Sequence, residues 1–441
     1  MLPHRIVRTL LFAGAAGLLA SAAQARDVAA DKRAIDAGLD RGYAHLDALY
    51  KDIHQHPELA LQETRTAAIL AKEMKALGFE VTERFGGTGI VAIYKNGAGP
   101  LVLVRTELDA LPMEEKTGLP YASHVVADYR GKPTPADHSC GHDIHMAAWI
   151  GTAQQLVAMK SQWKGTLMFI GQPAEETTEG ARAMIAAGLF ERFGKPDYGF
   201  ALHVESQAAG TVTYRPGANS SASDSLEITF HGRGAHGSTP ELSIDPVIEA
   251  ARFTMDVQTV VSREKDAAAF GVITVGSIQS GSAGNIIPDT AVLRGTIRSF
   301  DPAVREKLLE GIRRTANAVA AMSAAPPPEV KLEVGGRAVV NDAALTARID
   351  PVFKAAFGDK AIHQPEPGRP SEDYSEFVIA GMPHSLFFAI GGYDPKTIAA
   401  AEARGERVPG NHNPYFAPAP EPAIRTGVEA MTLAVLNVMG S

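Results

Sequence analysis

The chain has 441 residues, 45% hydrophobic and 21% charged, which is ample for a core and too long for one ordinary domain, so two are expected. Its net charge of −8 and pI near 6.0 leave no basic footprint, which argues against nucleic acid as a partner. The single cysteine excludes an intramolecular disulfide.

His4, Arg5 and Arg8 precede an apolar run from Thr9 to Ala20, and Ala23-Gln24-Ala25 supplies a small-x-small cleavage pattern. The run is too short to span a bilayer, and no later window reaches membrane length. Residues 1–25 are therefore expected to be a signal peptide, leaving a mature chain from Arg26 exported to the periplasm or secreted. Asp31 to Gln55 reads as helical, and Glu63 to Leu77 follows at helical spacing with Gly78 as a stop signal. Ile90 to Tyr94 and Leu101 to Val104 are strand-like, and Tyr121 to Asp137, rich in Pro, Gly and polar residues, reads as a long loop. Ile144 to Met159 reads as a helix, and Leu167 to Ile170 and Tyr198 to Leu202 as buried strands. This alternation is α/β.

From Ser220 the pattern changes. Ser225 to Phe230 alternates as a strand, Asp245 to Arg263 is helical with Pro246 in its first turn, and Phe270 to Val275 and Thr290 to Phe300 are strands. Asp301-Pro302 opens a helix reaching Met322, Pro326-Pro327-Pro328 interrupts the chain, and Glu329 to Val334 alternates again. The order βαββαβ describes a ferredoxin-like sheet of four strands with two helices. It stands as an insertion, residues 220–334, between two parts of an α/β domain, 26–219 and 335–441.

The run His138-Ser139-Cys140-Gly141-His142-Asp143 holds the one thiol, and Glu175-Glu176 follows it. Thiolate, neutral imidazole and carboxylate are the donors a borderline cation such as Zn²⁺ prefers, and Cys140 and His142, two apart in a Gly-containing turn, can face one ion. Three apolar runs lead into polar residues: the first into Asp109, the second into Glu175 and Glu176, the third into His203. In an open α/β sheet ligands collect at the carboxyl ends of the strands, so these residues are expected to share one cleft.

Several segments together resemble a family of two-metal amidohydrolases that includes hippurate hydrolase, the plant indole-acetyl-amino-acid hydrolases and N-acetyl-diaminopimelate deacetylase. They are His54-Gln55-His56-Pro57-Glu58-Leu59, Asp109-Ala110-Leu111-Pro112, His138 to Asp143, Gln172 to Glu176, Ala201-Leu202-His203, Ala235-His236-Gly237, Asn285 to Asp289, and His412 with Asn413-Pro414-Tyr415-Phe416. The resemblance spans nearly all of the mature chain. It implies a zinc-peptidase-like α/β catalytic domain with the inserted unit as a lid and dimerisation domain. The implied activity is aminoacylase-like hydrolysis of N-acyl amino acids; a metallo-exopeptidase or dipeptidase on the same scaffold is the alternative, since both substrates share an amide and a terminal carboxylate.

The same resemblance implies two divalent ions, Zn²⁺ or Mn²⁺ with Co²⁺ also compatible, held by Cys140, His142, Glu176, His203 and His412. Such a pair shares a water, lowers its pKa and polarises an amide carbonyl, and Glu175 becomes the general base that passes a proton to the leaving amine. His236 is implied as an oxyanion donor brought in by domain closure or by a partner subunit. Asn285 and Arg298 correspond to substrate-carboxylate contacts, and Asp109 to a carboxylate that orients a ligand. His138 is expected to support its loop, and His54 and His56 to be structural or pocket-lining. A homodimer is implied through the inserted domain, where Val247, Ile248, Ala251, Phe253, Val257 and Val260 form a large apolar set. The chain departs from the family twice: Glu107 replaces the usual aspartate, one methylene shorter, and the segment Gly392 to His412 is longer than usual.

Overall fold

The computed structural model describes residues 26–440, and the signal-peptide reading of 1–25 lies outside them. Eight strands form the larger sheet: β1 (Glu80–Glu83), β2 (Ile90–Asn96), β3 (Leu101–Glu107), β4 (Gly165–Gln172), β5 (Tyr198–Ala208), β6 (Val212–Tyr214), β7 (Ala361–His363) and β8 (His384–Tyr393). Their spatial order is β1-β2-β4-β3-β5-β8-β6-β7. The centre is parallel, with β3 paired to both β4 and β5, and β5 to β8; β1–β2, β2–β4 and β6–β8 are antiparallel, and β7 runs parallel to β6 at the edge.

Alternation along these strands builds two layers of core. Val102 and Val104 of β3 join Leu167 and Phe169 of β4 on one face, while Leu103, Met168 and Ile170 point to the other. The first face is covered by α1 (Val28–Gln55), α2 (Thr64–Ala76), α3 (His142–Ala158), α4 (Ala343–Phe357) and α5 (Pro420–Met439). Helix α3 is apolar around most of its circumference and buried along most of its length, as expected for a helix sandwiched between α1, α5 and the sheet. Its N-terminus demands a glycine. Gly141 has φ +91, and a Cβ there would come within 2.3 Å of Val204 Cγ1.

The smaller sheet is fully antiparallel, in the order Gly271–Ser280, Thr290–Ser299, Ala222–His231, Glu329–Val334. Helices Pro246–Asp256 and Pro302–Met322 cover one side, closing a separate core around Phe230, Phe253, Leu293, Ile297 and Ile312. Both start on an aspartate whose carboxylate accepts backbone N–H bonds, Asp245 from Val247 and Asp301 from Ala303, followed by proline at the first helical position. The two connections between the units run side by side: Asn219 N donates to Val339 O at 2.7 Å, and Arg182 donates to Val334 O and Gly335 O.

Three sequence readings need correction. The stretch Tyr121 to Asp137 contains a hairpin, Val126–Tyr129 with Lys132–Pro135, turned by Arg130 and Gly131 at φ 56 and 78; two consecutive left-handed residues match strand twist, although Asp128, Pro133 and Pro135 disfavour strands. Strand β5 continues past His203 to Ala208 instead of ending there. The helix from Asp245 stops at Asp256 and gives way to a π-turn at Val260–Glu264. Of its apolar set, Phe253, Val257 and Val260 are buried while Val247, Ile248 and Ala251 face solvent. No helix among the described residues is long and apolar enough to cross a membrane.

Candidate metal centre

The carboxyl ends of β3, β4 and β5 converge with the turn before α3. Cys140 and His142 flank Gly141 there, and Cys140 Sγ lies 3.4 Å from His203 Nε2 on β5. His142 Nδ1 donates to the backbone oxygen of Asp109 at 2.8 Å, which turns Nε2 toward Glu175 Oε2 at 3.7 Å and Glu176 Oε1 at 3.9 Å. Asp109 Oδ2 accepts from Glu176 N at 2.9 Å, fixing the glutamate pair. His412 arrives from the far end of the chain. Asn411 Nδ2 donates to Cys140 O and Val204 O, and His412 N to Ser139 O, which sets His412 Nε2 3.3 Å from Glu176 Oε2.

These donors form overlapping groups of three, each within 4.8 Å: Cys140 with His142 and His203, and Cys140 with Glu176 and His412. His142 Nε2 and Glu176 Oε1 are buried and have no hydrogen-bond partner among the described residues, a costly state for polar atoms that a bound cation would relieve. The electrostatics agree. Burial first, then Glu176 and Glu175, push the Cys140 thiol well above its ordinary range, so a thiolate here calls for a cation beside it. Burial opposes a charged His142, yet Asp109, Glu107 and Glu176 outweigh it and lift the ring to about 10; the site draws positive charge. A mixed thiolate, imidazole and carboxylate set of this geometry fits divalent metal, with Cys140 common to two positions.

The model of "Peptidase family M20/M25/M40" matches residues 103–437, three quarters of the chain. The chain belongs to this family. Among its relatives, the N-acetyl-L-cysteine deacetylase of Bacillus subtilis is 34% identical over 346 residues, covering 78% of this chain and 79% of the relative. The hippurate hydrolase of Campylobacter jejuni is 36% identical over 331 residues, covering 74% and 82%. A dinuclear metal binding peptidase of the M20 family from Bacillus subtilis superposes with a TM-score of 0.73 at 27% identity, over 91% of this chain and 99% of that one. The protein is thus a metal-dependent hydrolase of the M20 family.

In this M20 member the site opens into a cavity of about 500 Å³ lined by Cys140, Glu175, Glu176, His203 and His412, with Arg298 contributed by the smaller sheet. Arg298 is half-buried and its Nη1 has no partner. His236 and Asn285 stand elsewhere. Both are exposed; their segments pair through Ala235–Ile287 and His236–Ile286, and His236 Nδ1 lies 2.7 Å from Ser238 Oγ. Neither lines the cavity. His54 is buried between Asp143 at 2.6 Å and Glu115 at 3.2 Å, away from the cavity, whereas His56 is exposed. His138 is buried with neither ring nitrogen bonded, and burial holds it neutral with its pKa near 4.

Behind the donors, sequence reasoning named Asp109 and noted Glu107, but it missed Arg105, His145, Glu372 and Asp373. Glu107, the departure from aspartate, reaches Arg105 on one side and His145 Nδ1 at 3.0 Å on the other; His145 Nε2 accepts from Val204 N and its ring packs 4.6 Å from that of His203. Arg105 is fully buried and also grips Glu372 at 2.6 Å, Asp373 at 3.2 Å and Gln172 at 2.9 Å. The alternation of Arg105 and Glu107 on one strand face was the available signal for their pairing, and the acidic pair Glu372-Asp373 resembles Glu175-Glu176 in form. Burial, then Glu372, Glu176 and Asp373, push the Glu175 carboxyl well above its usual range, while Arg105 pulls it down.

Proposed function

We propose that the protein hydrolyses the amide bond of N-acyl amino acids. The observation that carries this reading is the meeting in one cavity of the thiol, imidazole and carboxylate cluster with the guanidinium of Arg298, whose buried Nη1 has no partner among the described residues and whose N–H groups suit a free carboxylate. Cys140, His142, Glu176, His203 and His412 would hold two divalent ions, Zn²⁺, Mn²⁺ or Co²⁺. Bound there, these ions supply Lewis acidity toward a carbonyl and lower the pKa of water.

The chain's own residues do the rest. Glu175 borders the donors without a hydrogen bond to them, and its raised proton affinity suits a group that takes a proton from water and returns it to the leaving nitrogen. Asp109 holds His142 and the glutamate backbone in place. Arg298 receives the substrate carboxylate, with Asn285 as a second contact once the small unit moves. His236, exposed and outside the cavity, serves as oxyanion donor only after such movement or from a second copy in a homodimer. We further propose export, with residues 1–25 removed. Metal analysis of the purified chain, followed by N-acetyl-, N-benzoyl- and free-amine dipeptide substrates, tests the reading; hydrolysis of the dipeptides with none of the N-acyl amino acids, or activity without metal, would overturn it.

A further inference from the structure

We infer that the preferred substrate carries a cation in addition to its carboxylate, and that Glu205 selects it. This rests on the reading of the cavity as a site for N-acyl amino acids and names which of them the cavity favours.

Strand β5 alternates its side chains, so His203, Glu205 and Gln207 share one face, and all three line the cavity. Four glutamates line it altogether, and three are committed. Glu176 belongs to the donor cluster, its Oε2 3.3 Å from His412 Nε2, and Glu175, buried beside it, is taken up by the proton transfer proposed above. Glu372 accepts from Arg105 at 2.6 Å and from Tyr374 N at 2.8 Å. Glu205 is different. Within 4 Å its carboxylate meets a single basic nitrogen among the described residues, His203 Nδ1 at 3.8 Å, beyond hydrogen-bond reach, and that nitrogen is occupied by Val204 O at 2.9 Å.

The surroundings point the same way. Among the described residues Arg298 is the only lysine or arginine in the lining, and it belongs to the smaller sheet while Glu205 belongs to the larger. The cavity therefore offers one positive and one uncommitted negative pole on separate units. Gln207, Gln364 and Asn219 are among the uncharged polar residues of the same lining, and Phe387, Ala389 and Pro370 are its apolar part. A neutral acyl chain seated there would strip water from the carboxylate and return nothing. An ammonium would convert the same carboxylate into a charge-assisted hydrogen bond.

The cation has two possible homes in an N-acyl amino acid, the acyl group or the amino-acid side chain, and two matched pairs of nearly isosteric substrates separate them. β-Alanyl-L-leucine against N-butyryl-L-leucine places an ammonium or a methyl on the acyl side; Nα-acetyl-L-lysine against N-acetyl-L-2-aminoheptanoate does so on the amino-acid side. We expect the cationic member of one pair to show a kcat/KM about tenfold or more above its neutral partner. Glu205→Gln, nearly isosteric and partly exposed, should erase that preference while leaving bound metal unchanged and the neutral substrate within about threefold. A preference that survives in Glu205→Gln, or neutral members favoured in both pairs, would overturn the role of Glu205 and leave the amidohydrolase reading standing. No turnover of any of the four compounds would overturn that reading and this inference with it.

Discussion

The two sheets treat their polar residues in opposite ways. On the larger sheet the groups that meet at the cavity are buried and cross-braced: Asp109 ties His142 and Glu176, Glu107 ties Arg105 and His145, and Asn411 ties the Cys140 loop to β5. On the smaller sheet His236 and Asn285 are exposed, and Arg298 keeps an unpaired Nη1. The donors of the larger sheet are held by the folded framework itself, whereas the polar groups of the smaller sheet are left free of such bracing.

The sharpest way to break this comparison is Glu175→Gln, which keeps volume and should leave metal content unchanged while lowering kcat by roughly 10²–10⁴; near-normal turnover in a metal-loaded variant would refute its role. Next in size, His54→Ala leaves Asp143 and Glu115 as buried carboxylates without their partner and should cost about 3–5 kcal/mol in urea unfolding. Burial alone would lower the His54 pKa, yet Asp143 and Glu115 raise it to about 10 from an ordinary 6.5. The folded state binds this proton more tightly, so its stabilisation is complete below pH 6.5 and is lost as pH rises through 10. Thermal melts across that window should show the wild type losing stability and His54→Ala nearly flat; parallel curves would remove the ion pair from the account.

Turning to the smaller sheet, His236→Ala should lower kcat by about 10²–10³ with full metal occupancy. Loss of metal in that variant would mean that the small unit braces the centre, erasing the contrast between the two sheets. The smallest effect belongs to Arg298→Ala, expected to raise KM roughly tenfold or more with kcat little changed, because one charged hydrogen-bonding partner of the substrate is gone. An unchanged KM would place the substrate carboxylate elsewhere.

The donor set was legible because a thiol, imidazoles and carboxylates terminate apolar runs, and strand ends in an α/β sheet gather in space. Continuous apolar runs likewise predicted β3 and β4, and Asp-Pro openings marked both helices of the smaller sheet. What escaped was long-range. Arg105 and Glu372 are 267 positions apart, and no local spacing announces their pairing. His145 sits one turn into a buried helix, where a histidine looks like any core residue until β5 is laid against it. The hairpin at Arg130-Gly131 hid because its strands carry proline and aspartate, and only the turn conformation betrays it.

Strand β8 lies between β5 and β6, and α5 packs against α3, yet both come from sequence beyond the inserted unit. During synthesis the first half therefore emerges with β5 lacking its neighbour and α3 lacking its cover, and it stays so while residues 222–334 are made. That later stretch has a core of its own and closes without help. The hydrolytic half is the last to become whole, completed only when Pro420–Met439 has been added, and until then the open β5 edge presents unpaired N–H and C=O groups on which another strand could pair.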